Sequence, residues 1–303
     1  MITIANLHMK AYLYFILFLC TTNSIAQNLT PQMLSATFTT KAVSFNSAGI
    51  ALSGTIYKPK HPYAAVVLVH GSGQEKRSDI LAAQLASNGI AVLTYDKRGV
   101  GKSGGLYMGP EVGSNNIDSL NLNQLALDVN AAVNALAEKL KNKSIKIGLL
   151  GASQAGWVIP MAAAKNKKVN FMVIFSGPLV TTLQQLRFQF YTNGNTKFWD
   201  MHTEADALLH INTDTDRYQF SATDPQDFLK PLNISGLWLY GNKDIQVPVS
   251  LSIANLNKLI AKGKYFHYQL FPELGHNTLF AKSQEPIKEA MAWIKNLAER
   301  KIK

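Results

Sequence analysis

The sequence has almost no cysteine. Cys20 is the only one among 303 residues. Residues 27–303 therefore hold no disulfide, no thiolate nucleophile and no cysteine metal site. Acidic residues are also scarce, 19 against 30 Lys and Arg, giving a formal net charge of +11. Such an excess raises the question of a polyanionic partner. The basic residues are scattered, however, with only short clusters at Lys165-Asn166-Lys167-Lys168 and from Lys139 to Lys143. No basic stripe with interleaved aromatics is present, so solvated helix ends account for the charge and no nucleic-acid partner is expected. Repeats and low-complexity tracts are lacking too. What remains is 47% hydrophobic and 16% charged, the balance of a globular protein.

The most apolar run, Ala11 to Cys20, is too short to span a bilayer, which needs about 20 residues. Lys10 precedes it, and Thr21-Thr22-Asn23 and the small-residue site Ser24-Ile25-Ala26 follow it. A basic start, an apolar middle and a cleavable end predict a signal peptide over residues 1–26. An uncleaved N-terminal anchor is the alternative. Phe18 and Leu19 stand where a lipoprotein signal needs small residues, so lipidation at Cys20 is disfavoured. Export without disulfides predicts a bacterial periplasmic or secreted protein, with no stable membrane insertion of residues 27–303.

Past this segment, strand and helix signals alternate. Thr37 to Phe45 and Ile50 to Tyr57 read as a hairpin. Ala64–Val69, Ile90–Tyr95, Ile145–Leu150, Val169–Phe175, Gly236–Tyr240 and Tyr265–Phe271 read as further strands, several of them apolar throughout as in strands covered on both faces. Helices are predicted over 78–88, 122–140, 154–164 and 285–301. The pattern predicts an α/β fold, a mostly parallel sheet with helices on both faces. Residues 178–232 break the rhythm. They read as a helical insertion over the carboxyl edge of the sheet, a lid whose aromatics Phe190, Tyr191, Phe198 and Trp199 are candidates for a substrate wall.

The chemistry starts at Gly151-Ala152-Ser153-Gln154-Ala155-Gly156, between an apolar strand and a helix. A serine on a sharp strand-to-helix turn is the context of a nucleophile elbow, although Ala155 stands where glycine is usual. A serine hydroxyl needs a base, and the base needs an orienting carboxylate. Asp244 follows one buried strand and His276 lies in a glycine loop after the last strand, which gives the order Ser153, Asp244, His276. His202 and His210 fall in the insertion, and His267 falls inside a strand. The developing oxyanion needs fixed donors. The backbone N–H groups of Gln154 and of Ser72, in His70-Gly71-Ser72-Gly73, are the candidates, with Gly73 second. His70 itself reads as structural. Gly101-Lys102-Ser103 resembles the end of a phosphate loop, but Asp96 stands where that loop needs glycine. A glycine turn braced by Asp96 and Arg98 is the better account.

Together, His70-Gly71-Ser72-Gly73, Asp96-Lys97-Arg98-Gly99-Val100-Gly101-Lys102-Ser103, Gly151-Ala152-Ser153-Gln154 and Gly241-Asn242-Lys243-Asp244 resemble the α/β-hydrolase superfamily. More narrowly they resemble its secreted carboxylesterases related to serine aminopeptidase-type hydrolases. The resemblance implies a serine hydrolase without cofactor or metal, acting through an acyl-enzyme on a small-molecule ester with a short acyl chain. Two other classes stay open. A peptidase or amidase on the same triad would need an amine pocket, for which Glu204, Asp206 and Asp214 are candidates. A non-catalytic binding module would not need an intact Ser153, Asp244 and His276.

Overall fold

The computed structural model describes residues 37–109, 114–140, 142–214 and 221–299. The expected signal peptide, 1–26, lies outside them. Eight strands form one sheet: β1 (Phe38–Ser47), β2 (Ile50–Pro59), β3 (Ala64–Val69), β4 (Ile90–Tyr95), β5 (Lys146–Ala152), β6 (Val169–Phe175), β7 (Ser235–Gly241) and β8 (Phe266–Phe271). Their order is β1-β2-β4-β3-β5-β6-β7-β8. β1 and β2 pair antiparallel, and β2 is antiparallel to β4. From β4 through β8 every pair is parallel. The expected mostly parallel sheet is therefore present, with the hairpin at one edge.

Ten helices appear among the described residues: α1 (Asp79–Ser87), α2 (Ser114–Ile117), α3 (Ser119–Leu140), α4 (Ala155–Lys165), α5 (Thr182–Thr192), α6 (Phe198–Met201), α7 (Glu204–Thr213), α8 (Pro225–Leu229), α9 (Val249–Ile260) and α10 (Glu285–Glu299). Side chains alternate across a strand, and the core divides accordingly. On one face Ala65, Val67, Leu93 and Leu149 pack with Leu122, Val129 and Leu136 of α3, Val158 of α4 and Leu256 of α9. On the other, Val66, Leu68, Val92, Leu150 and Val173 pack with Leu85 of α1 and Ile287 and Ile294 of α10. Each fully buried side chain of this size contributes about 1.5–3 kcal/mol. α9 was not anticipated. Leu256 and Leu259 lie three apart on its buried side, but Pro248 and the polar residues between its apolar positions obscured the period.

Between β6 and β7 the chain runs through α5 to α8, as the expected helical insertion. Its aromatics form a small core of their own. Phe188 and Phe198 are fully buried with Ala207 and Ile211, and Tyr191 and Trp199 pack against them. Of the four aromatics expected to line a pocket, only Phe190 is exposed. The insertion is tied to the sheet by Trp199 Nε1, which donates to Asp244 O at 2.9 Å, and Thr192 Oγ1, which donates to Ile245 O at 2.7 Å. No helix among the described residues is long and apolar enough to cross a membrane.

Candidate active site

The chain leaves β3 toward β4 on one side and leaves β5 toward β6 on the other. That reversal opens a crevice at the carboxyl ends of adjacent strands β3 and β5. His70–Gly73 follows β3 and Ser153-Gln154 follows β5, so two segments singled out in the sequence meet there. β3 and β5 stay in register to their ends, with Val69 opposite Gly151.

Ser153 has φ 56°, in the left-handed region. For a residue with a Cβ this costs of order 1–3 kcal/mol and persists only where the surroundings enforce it. Here Ser153 N donates to Phe175 O at 3.0 Å, and Gly156 N donates to Ser153 O at 2.8 Å. The turn leaves no room beside it. A Cβ at Gly151 would lie 2.5 Å from Val69 O, and one at Gly156 would lie 2.6 Å from Pro178 N. The Ala155 departure is thereby explained. Position 155 opens α4 with ordinary backbone, and the need for glycine falls one residue later. The Ser153 hydroxyl has no hydrogen-bond partner among the described residues.

Asp244 and His276 come together from the ends of β7 and β8. His276 Nδ1 and Asp244 Oδ2 are 2.9 Å apart. Asp244 is fully buried, and its Oδ1 accepts from Gln246 N at 2.7 Å and Val247 N at 3.0 Å. Burial disfavours the charged imidazole of His276, but the charge and hydrogen bond of Asp244 outweigh it and raise the pKa above 6.5. The histidine loop is pinned across β7 to Ser176, which directly follows β6 beside the Ser153 turn. Thr278 Oγ1 donates to Leu239 O at 3.2 Å, so its bond with Ser176 Oγ at 2.8 Å takes the Ser176 proton.

The expected oxyanion donors flank a group that the sequence reading passed over. Lys97 Nζ donates to the carbonyls of Gly71, Ser72 and Gly73 and to Gln154 Oε1. Tyr107 donates its hydroxyl to Ser72 O at 2.9 Å. Gln154 Nε2 donates to Asn116 O at 2.6 Å and to Asn116 Oδ1 at 3.0 Å. Lys97, Tyr107 and Asn116 all follow β4; Lys97 lies within the glycine turn noted in the sequence, whereas Tyr107 and Asn116 carry no sequence signal. The one signal for Lys97 was a lysine directly after an apolar strand and inside a glycine loop.

The other motif residues are structural. His70 Nε2 meets Tyr95 O at 2.7 Å, and burial together with the charge of Lys97 pushes its pKa down to about 3. Asp96 accepts from Arg77 N, Nε and Nη2 and from Lys102 N. Burial would raise this carboxyl, but the Arg77 bonds hold it well below the usual carboxylate range. Ser103 Oγ donates to Asp96 O and accepts from Ser53 N, which fixes the resemblance to a phosphate loop as a braced turn. Arg98 reaches instead to buried Asp128 of α3. Of the rival histidines, His202 meets the Tyr191 hydroxyl at 3.0 Å and His210 stacks on the Tyr191 ring. His267, expected to pack within its strand, is exposed on edge strand β8. A cleft of about 640 Å³ between β1 and α3 is lined by none of these site residues.

The sheet order, the switch-point crevice and the order of the loops are those of the α/β-hydrolase fold. Residues 60–199 match the family described as serine aminopeptidase, S33. Among solved structures, the chain is similar to an acylaminoacyl peptidase from Pyrococcus horikoshii, with 17% identity and a TM-score of 0.62. That match covers 88% of this chain but 42% of the peptidase, so this chain spans less than half of that enzyme's length. An esterase from Pyrococcus furiosus is 18% identical with a TM-score of 0.58, covering 90% of this chain and 92% of the esterase. An acetyl xylan esterase from Paenibacillus is 18% identical with a TM-score of 0.60, covering 86% and 84%. At these identities the likeness speaks to the fold. No curated protein matches the sequence.

Proposed function

We propose that the protein is a serine hydrolase that cleaves carboxylic esters through an acyl-enzyme on Ser153, His276 and Asp244. The observation that carries the reading is the strained Ser153 at the switch-point crevice of a sheet whose next strands present a hydrogen-bonded Asp244–His276 pair. Strain of this kind concentrates where a side chain must be presented to a ligand.

Asp244 accepts the proton-bearing Nδ1 of His276, which leaves Nε2 as the basic nitrogen. Nε2 takes the Ser153 proton as Oγ bonds to the ester carbon. The carbonyl oxygen becomes an oxyanion, received by the N–H groups of Gln154 and Ser72. Collapse of this intermediate breaks the bond to the alcohol, which leaves with the proton from His276. Water then attacks the acyl-enzyme by the same route. Its proton passes through His276 to Ser153, and the carboxylic acid is released.

The same groups cleave amides, and the serine aminopeptidase family match favours a peptidase as the second reading. Two of the three acidic residues that such a pocket was expected to use have other work. Asp206 caps α7 through Thr203, and Asp214 lies 3.5 Å from His210. The exported setting inferred from residues 10–26 belongs to the same proposal, as does the role of the insertion as a lid.

The test is labelling with a fluorophosphonate beside turnover of p-nitrophenyl esters and aminoacyl anilides. Labelled protein with ester turnover, both lost in Ser153→Ala, is the expected result. Faster anilide than ester turnover would move the assignment to a peptidase. Absence of labelling and of turnover would overturn the serine-hydrolase reading.

A further inference from the structure

Lys97 is 2% exposed, yet it exchanges no proton or bond in the reaction proposed above. Its ammonium lies 2.6 Å from Gly71 O, 3.1 Å from Ser72 O, 3.2 Å from Gly73 O and 3.2 Å from Gln154 Oε1. An ammonium has three donors and no acceptor. Four oxygens therefore share three N–H groups. A buried ion needs such dense pairing together with an opposite charge nearby. Glu75 stands beside it: its carboxyl accepts Gly71 N at 3.0 Å, burial raises its pKa, and the Lys97 charge opposes that rise. The Tyr107 ring completes the enclosure, 5.5 Å from Nζ.

The contacts fix peptide orientation. In a trans peptide, C=O and N–H point in opposite directions. With the carbonyls of Gly71 and Ser72 drawn onto Nζ, the N–H groups of Ser72 and Gly73 are turned away from it. Neither N–H has a hydrogen-bond partner among the described residues, whereas Gly71 N is held by Glu75. The fourth contact crosses the crevice. Gln154 Oε1 belongs to the residue whose own backbone N–H is the other proposed donor.

We infer that Lys97 is a positioning residue for the oxyanion site: one ammonium ties the His70–Gly73 loop to Gln154 and sets the direction and spacing of the two N–H groups that receive the negative charge. The inference rests on the serine-hydrolase reading. Hydrogen bonds from a cation to the carbonyl oxygens also polarise those peptides, which strengthens their N–H groups as donors. The contribution belongs to the transition state, because only there does the substrate oxygen carry its charge.

The experiment compares wild type with Lys97→Met, Lys97→Arg and Gln154→Leu. It reads kcat and KM on a p-nitrophenyl ester, Ki for a trifluoromethyl ketone, and melting temperature. Lys97→Met should lower kcat by roughly 10²-fold, as loss of an oxyanion donor does. KM should stay within about threefold, and Ki for the ketone should rise in parallel with the fall in kcat/KM. Lys97→Arg, which keeps charge and donors, should recover at least tenfold of the loss. A folded Lys97→Met with wild-type kcat and Ki overturns the inference. So does a loss that appears in melting temperature alone. Should Lys97→Met fail to fold, Gln154→Leu decides, because it cuts the same strut at its other end and leaves the ammonium in place. Unchanged kcat and Ki in Gln154→Leu then overturn the inference. A wild type inert to esters, anilides and fluorophosphonate would instead refute the serine-hydrolase reading, so the two failures are distinct.

Discussion

Asp244 divides its two carboxylate oxygens between its own loop and one histidine. Oδ1 takes the N–H groups of Gln246 and Val247, and Oδ2 takes Nδ1 of His276 at 2.9 Å. The backbone bonds fix the carboxylate, and the carboxylate fixes the imidazole. Asp244→Asn keeps an oxygen for the backbone bonds but can present an N–H to Nδ1, which selects the wrong tautomer. The expected loss is about 10⁴ in kcat with the fold retained. Steady-state kinetics beside circular dichroism check this. Near-wild-type turnover in Asp244→Asn would place the orienting acid elsewhere.

The same pair sets the pH dependence. Its net effect raises the His276 pKa above 6.5. The general base is the neutral form, so kcat/KM should rise with pH through one ionisation that lies above 6.5. Stability has the opposite sign. A raised histidine pKa contributes stability that is complete below the unfolded value and fades as pH rises through the folded value. Asp244→Asn removes both raising influences and leaves burial, so the inflection should drop below 6.5. A kcat/KM profile of each protein measures it. An inflection that does not move would separate His276 from Asp244.

Ser153 carries a conformational cost that glycine would not. Ser153→Ala and Ser153→Gly should both lose roughly 10⁴–10⁶ of kcat. Their stabilities should differ. Alanine keeps the left-handed strain, at about 1–2 kcal/mol, and glycine relieves it while adding some entropy to the unfolded chain. Ser153→Gly should therefore be the more stable of the two, by about 0.5–1 kcal/mol. Urea unfolding of the pair decides, and a Ser153→Ala variant more stable than Ser153→Gly would mean that position 153 is unstrained.

Arg98 and Asp128 form an ion pair closed to solvent, with side chains 5% and 0% exposed. Nε donates to Oδ2 at 3.0 Å, and Nη2 pairs with Oδ1. Asp128→Leu would strand a buried guanidinium, at a cost of about 3–5 kcal/mol. Adding Arg98→Met should recover much of that loss, since an apolar pair of similar volume is often neutral. A double-mutant cycle in urea tests the coupling. Additive single losses would show that the two side chains act independently.

Several features of the molecule were already legible in the chain. The continuous apolar run Ala64–Val69 marked a buried strand to the residue, because a strand covered on both faces has no polar position to blur its ends. Gly151 with Ser153, and Gly275 with His276, marked sharp turns directly after strands, and turn chemistry is local. Other features had no local signature. Phe198 and Tyr191 were indistinguishable in sequence from pocket-lining residues. Only the packing of α5 to α7 turned them inward onto Phe188 and Ile211. Lys97 and Gln154 are 57 residues apart, and nothing around either announces the other. Strand order decided their meeting. β3, β4 and β5 are consecutive in the chain but stand as β4-β3-β5 in the sheet, which brings the loops after all three strands to one crevice. Periodicity and turn residues act over a few positions, so the sequence alone determined which elements form and where the chain bends. Which buried charge faces which backbone carbonyl depends on how distant loops converge, and only the tertiary structure decided that.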